Sequence, residues 1–257
     1  MGEAVDEAPS ETESDFFGGK IRLRQFSRGH RAGTDAALLA AAAPPDFSGF
    51  ALDAGSGCGA VGLALAATRR GARVGLIEID AASAALARLN VTLNAFEARI
   101  DVYEGDLLSA RGRRAAGLAD ESADLVLSNP PFLDPARARA SPDADRRRAH
   151  MADGGAGAWL KACLALTRPG GEAIVIQRPE HLGALLQALD GRAGAAQILP
   201  VFARAGAPAI RILLRARKGS KAPPALLPGL VLHDEAGFTQ EALALTRGER
   251  PLAFPYQ

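Results

Sequence analysis

Two stretches of this 257-residue chain hold residues whose types and spacing could do chemistry. The first is Asp53-Ala54-Gly55-Ser56-Gly57-Cys58-Gly59, an acid followed by a glycine at every second position. Glycine tolerates positive φ and, having no Cβ, lets a ligand come close to the backbone. A helix starting near Gly59 would point its free N–H groups into the same space. Asp53 weighs against a pyrophosphate there, because a carboxylate repels it, and instead favours a cationic ligand or an ammonium group. The second stretch is Ser128-Asn129-Pro130-Pro131-Phe132. A proline pair directly after an apolar strand ends the ladder and fixes the backbone direction. On its own, Asn129 could simply be a turn residue. Between the two lies Glu78, nineteen residues after Gly59. At that spacing an acid reaches a ribose diol, two carboxylate oxygens matching two vicinal hydroxyls. Asp80 could serve the same purpose.

For these residues to meet, they must end neighbouring strands of one sheet. From Phe47 onward short apolar runs alternate with helical ones, which predicts an α/β fold with a mostly parallel, Rossmann-like sheet and helices on both faces. Strands are expected at about 50–53, 73–78, 99–103, 124–127 and 172–176, and helices at about 59–70, 81–95, 155–167 and 180–190. Asp53, Glu78, Asp106 and Asn129 then all sit at carboxyl ends of strands, where open sheets bind ligands. The runs 196–202 and 209–215 are joined too closely for a parallel crossover, so this pair is antiparallel. The expected sheet has seven strands with one reversed.

The rest divides as follows. Residues 1–15 are acidic and unpatterned and read as a disordered tail. Residues 16–45 read as a hairpin and a helix that cover the ligand site, with Thr34-Asp35 as helix N-cap. Residues 46–218 form the main domain. Residues 219–257 read as a linker and a C-terminal helix capped by Thr239. The segment 107–121 is basic and irregular, and 134–150 reads as a long loop of the kind that is often functional.

The totals narrow the classes. Hydrophobic content of 48% suffices for a sizeable core. Net charge is +1, but residues 1–15 hold six acids and no base, which leaves 30 bases against 23 acids in the remainder. A basic body of this kind suits an anionic partner such as RNA. The basic groups are Arg28, His30 and Arg31; Arg111, Arg113 and Arg114; Arg137, Arg139, Arg146, Arg147, Arg148 and His150; and Arg215, Arg217, Lys218 and Lys221. A charge run is usually a solvated face, but the first and third groups would flank the Asn-Pro-Pro-Phe segment. Cys58 and Cys163 suggest no disulfide framework, and the four His show no metal-ligand spacing. With no leader and no apolar run of ~18 residues, a cytoplasmic monomer without membrane or metal is expected.

The glycine loop with its leading acid and the Asn-Pro-Pro-Phe segment together resemble S-adenosylmethionine (AdoMet)-dependent methyltransferases that act on planar, conjugated amino groups. Thr34-Asp35-Ala36-Ala37-Leu38-Leu39-Ala40, Leu52 to Gly59, Ile77-Glu78-Ile79-Asp80, Glu104-Gly105-Asp106-Leu107, Ser128 to Phe132 and Arg168-Pro169-Gly170-Gly171 are similar to the bacterial tRNA1(Val) adenine-37 N6-methyltransferase family, small-domain type, over residues 16–247. The resemblance implies a class I fold with AdoMet as cofactor. It implies cofactor contacts from Thr34, Asp35, Asp53, Gly55, Gly57, Gly59, Glu78, Asp106, Leu107 and Asn129. Asp106 would accept from the adenine amine and Leu107 N–H would donate to its ring. Asn129, Pro130, Pro131 and Phe132 would be the catalytic group. The Asn129 oxygen and Pro130 carbonyl would each accept an N–H from the target amine, aiming its lone pair at the methyl, while Phe132 would stack on the base. Arg28, Arg31, Phe132, Arg146, Arg147 and Arg148 would bind the substrate.

The resemblance specifies N-methylation more tightly than it specifies tRNA. Related enzymes with the same motifs act on rRNA guanine N2 or on a protein glutamine amide, and a non-catalytic Rossmann nucleotide-binding module is the remaining alternative. The glutamine enzymes usually carry a separate N-terminal helical domain, for which residues 1–45 are too short.

Overall fold

The computed structural model describes residues 10–27, 31–130 and 155–254. The chain opens with an antiparallel hairpin, β1 (Glu11–Phe16) and β2 (Ile21–Phe26). Residues 11–15, expected within a disordered tail, are thus a paired strand, while 1–9 lie outside the described residues. Its backbone pairs with β2 along its whole length, and the charges across the pair are complementary. Glu13 on β1 binds both Arg22 and Arg24 on β2, the latter at 2.9 Å. An acidic segment that reads as unpatterned alone is half of an alternating pattern once its basic partner lies beside it.

The main sheet contains β3 (Phe50–Ala54), β4 (Arg73–Glu78), β5 (Ile100–Glu104), β6 (Ala123–Ser128), β7 (Thr167–Gln177), β8 (Ala193–Arg204) and β9 (Ala209–Lys218). Their spatial order is β5-β4-β3-β6-β7-β9-β8. The first five are parallel, and β9 runs antiparallel to both β7 and β8. These are the seven expected strands with one reversed. Three more extend the sheet: β10 (Ala225–Leu226) and β11 (Leu230–Asp234) pair with successive stretches of β8, and β12 (Gly237–Phe238) pairs with β11. Much of 225–238, expected to be linker, is therefore part of the sheet. Runs of two to five residues are too short to display a period-two pattern of their own.

Seven α-helices are described: α1 (Thr34–Ala41), α2 (Ala60–Thr68), α3 (Ala81–Leu93), α4 (Ala110–Ala115), α5 (Gly155–Leu166), α6 (Leu182–Leu189) and α7 (Gln240–Thr246). Helices cover both faces of the sheet, and for that reason the parallel strands are apolar almost throughout. In β6, Leu125 and Leu127 join the core cluster that holds α1, α2 and α7, and Val126 joins the cluster that holds α5 and α6. Residues 60–66 of α2 are buried all round, as their Ala/Leu composition demands. Within 107–121, expected to be irregular, α4 forms one and a half turns, capped by Ser109. Thr239 caps α7, its hydroxyl accepting Ala242 N–H at 3.1 Å. Thr34 is not a cap: Gly33 holds that position, Thr34 is the first helical residue, and the Asp35 carboxylate reaches Arg211 on β9 at 2.8 Å.

Because β3 lies between β4 and β6, the chain reverses its winding there. A crevice opens at the carboxyl ends of β3 and β6.

Candidate active site

Strand β3 delivers Asp53 to that crevice and then turns sharply. Gly55 (φ 74°) and Gly59 (φ 89°) take up left-handed backbone, and neither has room for a side chain. A Cβ on Gly55 would lie 2.7 Å from the Trp159 ring, and one on Gly59 2.9 Å from Leu76. The N–H groups of Gly55 and Ser56 bind the Ile77 carbonyl at 2.9 and 3.0 Å, tying the loop to β4. Glu78, the last residue of β4, extends the tie. Its carboxylate accepts Gly57 N–H through one oxygen and the N–H groups of Ile79 and Asp80 through the other, each at 2.9 Å. The acid at this strand end thus organises the glycine loop as well as facing the cavity. Asp80 caps α3 through Ser83.

Asp53 is buried. Its carboxylate accepts Gly62 N–H at 3.0 Å, from the first turn of α2. Burial pushes its pKa up to about 7, and the neighbouring Glu78 charge adds to that, while the Gly62 hydrogen bond opposes it. Cys58, in the same loop, is pushed up to about 11 by burial and is no nucleophile. After β5 the chain turns through Gly105, Asp106 and Leu107. Asp106 accepts Leu108 N–H at 2.9 Å, and the buried Arg113 holds the Leu107 carbonyl at 2.9 Å. After β6 comes Asn129, whose buried Oδ1 has no hydrogen-bond partner among the described residues.

These residues surround one cavity of about 330 Å³. Of the residues expected at a ligand site, it gathers Asp53, Gly55, Gly57, Glu78, Asp106, Leu107 and Asn129. Gly59, Thr34 and Asp35 do not line it: Gly59 is the N-cap of α2, and Asp35 is held by Arg211. Pro130 is buried beside Asn129, and Arg31 is exposed. Pro131, Phe132, Arg28, Arg146, Arg147 and Arg148 lie outside the described residues. Two of the basic groups turn out to hold structural cations. Arg113 pairs with Asp120 at 3.0 Å, and Arg215 with Glu172 at 2.7 Å, both arginines being buried.

The cavity also has walls that sequence reasoning passed over. Gln25 and Phe26 of the hairpin, Ala32 just before α1 and Ala36 of α1 close one side, and Ile79, Ser83, Leu86 and Trp159 add to the wall. The hairpin is held there by α3. Asn90, fully buried, accepts Arg24 N–H at 2.8 Å and donates to the carbonyls of Arg24 and Cys58 at 2.9 Å. Asn94 treats Arg22 likewise, at 2.9 and 2.7 Å. Two side-chain amides thus serve β2 as a neighbouring strand would. Trp159 had one available signal, as the single tryptophan of a chain with few aromatics.

The wall carries four carboxylates (Asp53, Glu78, Asp80 and Asp106) and no Lys, Arg or His among the described residues. Such a lining repels a pyrophosphate and attracts a cation. With the close-approach glycines, the unpartnered Asn129 Oδ1 and a similarly unpartnered Ser56 Oγ, it fits a cationic nucleoside with a polar tail. Among the described residues there is no cluster of metal-ligand type, and no helix is long and apolar enough to cross a membrane.

The methyltransferase small domain family matches residues 26–144. A Porphyromonas gingivalis protein named tRNA1(Val) (adenine(37)-N6)-methyltransferase is 40% identical over 107 residues, which is 40% of this chain and 41% of that protein. A Serratia proteamaculans protein of the same name is 33% identical over 207 residues, 76% of either chain. Among solved structures, one described as a predicted O-methyltransferase from Agrobacterium tumefaciens superposes with a TM-score of 0.74 at 32% identity, covering 86% of this chain and 100% of that one.

Proposed function

The chain belongs to the family of the tRNA1(Val) (adenine(37)-N6)-methyltransferases, and from that premise we propose that it methylates the exocyclic N6 amine of an adenine in tRNA, with AdoMet as methyl donor. AdoMet supplies a methyl on a sulfonium centre. The residues of the cavity suit its parts. Glu78 would offer a carboxylate to the ribose diol, Ile79 and Leu107 would offer apolar surface to the adenine, and Asp53 and the glycine loop would take the charged methionine end, all of them lining the cavity.

The observation that carries the reading is the buried, unpartnered Oδ1 of Asn129 on the wall of this acidic cavity. A planar amine has its lone pair delocalised and is a weak nucleophile. Accepting one N–H at Asn129 Oδ1 and the other at the Pro130 carbonyl orients the NH₂ and favours a pyramidal nitrogen, its lone pair aimed at the methyl carbon. The nitrogen–carbon bond forms as the carbon–sulfur bond breaks, with the electron pair leaving on sulfur. The methylated nitrogen is then cationic and acidic and sheds a proton to water, so no strong base is required. Positioning of this kind supplies ~7–11 kcal/mol in favourable cases. An acceptor-only pair of oxygens matches two N–H groups, whereas a hydroxyl acceptor has one hydrogen to offer, and so nitrogen is favoured over the oxygen acceptor ascribed to the Agrobacterium protein.

The test is transfer from methyl-labelled AdoMet into separate pools of unmodified tRNA, rRNA and protein, with labelled nucleosides identified by mass. Label in tRNA as N6-methyladenosine is expected. Label in rRNA as N2-methylguanosine, or in protein as methylglutamine, overturns the substrate.

A further inference from the structure

We infer that Trp159 is a positioning residue for methyl transfer, holding the acceptor end of the site in register with the cofactor end through Ser128. The inference rests on the methyl-transfer reading of the cavity. Trp159, on α5, lines the cavity, and its ring fills the space that Gly55 leaves by lacking a Cβ. Its indole N–H donates to Ser128 Oγ at 2.7 Å. Ser128 Oγ in turn donates its one hydrogen to the Ala54 carbonyl at 2.6 Å. The hydroxyl is buried, and both roles are used.

The relay lies where the ladder stops. Backbone pairing of β3 with β6 runs from Ala51 opposite Leu125 to Asp53 opposite Leu127. One residue further on, side chains take over: Ala54, next to Gly55, is joined to Ser128, next to Asn129. Asn129 Oδ1 has no partner among the described residues, so its aim depends on the backbone that carries it. Displacements of about 1 Å in such a geometry cost ~100-fold in rate. If Trp159 were merely a core residue, its loss would lower stability and leave the chemical step alone.

Two variants separate these cases. Trp159→Phe keeps an aromatic wall and removes the N–H; Ser128→Ala removes the relay from the other end. For each folded variant, kcat is expected to fall about 10- to 100-fold, with AdoMet Kd and RNA KM changing by less than about threefold. The double variant is expected to be no worse than either single one, because both break the same link. The chain has a single tryptophan, so its indole ¹⁵N–H gives one resonance that reports the bond without RNA or turnover. In Ser128→Ala that resonance is expected to move and to exchange faster with solvent. An unchanged kcat in Trp159→Phe, a double variant that multiplies the two losses, or an indole resonance indifferent to Ser128→Ala overturns the inference. A wild-type enzyme that methylates no RNA overturns the substrate reading instead, and the indole measurement still decides whether the relay exists.

Discussion

The Asp53 carboxylate and the Gly62 backbone N–H meet at 3.0 Å inside the protein, so an acid of β3 also anchors the first turn of α2. One hydrogen bond and a helix N-terminus do not offset the burial of that charge, and the carboxyl rises to about 7. The folded protein therefore holds this proton more tightly than the unfolded chain, where the value is 3.8. Stability from Asp53 is full below pH 3.8 and is lost as pH rises through about 7. The loss is of order 4 kcal/mol. Asp53→Asn keeps an oxygen for Gly62 and carries no charge. Its melting temperature without ligand is expected to pull ahead of wild type as pH rises from 4 to about 7 and then to hold its lead. AdoMet is expected to raise the melting temperature of wild type strongly and of the variant weakly, with wild-type affinity falling as pH drops below 7. Parallel melting curves across the pH range would contradict the assignment.

Glu78→Ala removes the acceptor of three N–H groups as well as the carboxylate facing the cavity. AdoMet affinity is expected to drop about 10- to 100-fold, with stability lowered by about 1–3 kcal/mol. Calorimetric titration gives the first and denaturant unfolding the second. An unchanged affinity would return Glu78 to a purely structural role in the loop.

Asn129→Ala leaves the loop, Asp53 and Glu78 in place. AdoMet binding is expected to stay within about threefold of wild type while kcat falls by about 100-fold or more. Steady-state kinetics at saturating AdoMet read this directly. Turnover close to wild type would refute the acceptor-holding mechanism.

Asn90→Ala strips the buried amide that pairs with Arg24 and Cys58 and leaves their backbone groups without partners. About 2–4 kcal/mol of stability is expected to go. Faster amide exchange should concentrate in β2 and the glycine loop. Exchange that rises uniformly over the chain would show that the amide does not dock the hairpin in particular.

Legibility in the sequence followed the range of the interactions. The glycine loop, Glu78, Asp106 and Asn129 were legible because each ends a strand whose apolar run marks it, and the winding order of such sheets brings strand ends together. The hairpin's first strand was not, since Glu13 makes sense only against Arg22 and Arg24. Asp35 reads locally as a helix cap, and its partner Arg211 is 176 residues away. Asn90 and Asn94 look like ordinary polar residues of a helix, and their work as a surrogate strand edge depends on docking that no local pattern encodes. Trp159 sits in an apolar helix where burial alone would account for it.

The all-acidic lining of the cavity has a consequence for the enzyme's cycle. Methyl transfer removes the positive charge from sulfur, and with it part of the attraction to Asp53 and its fellow carboxylates. The same wall that draws the charged donor in therefore grips the spent, neutral thioether less firmly. Under the proposed methyl transfer, release of the used donor would thus draw on the loss of its own charge.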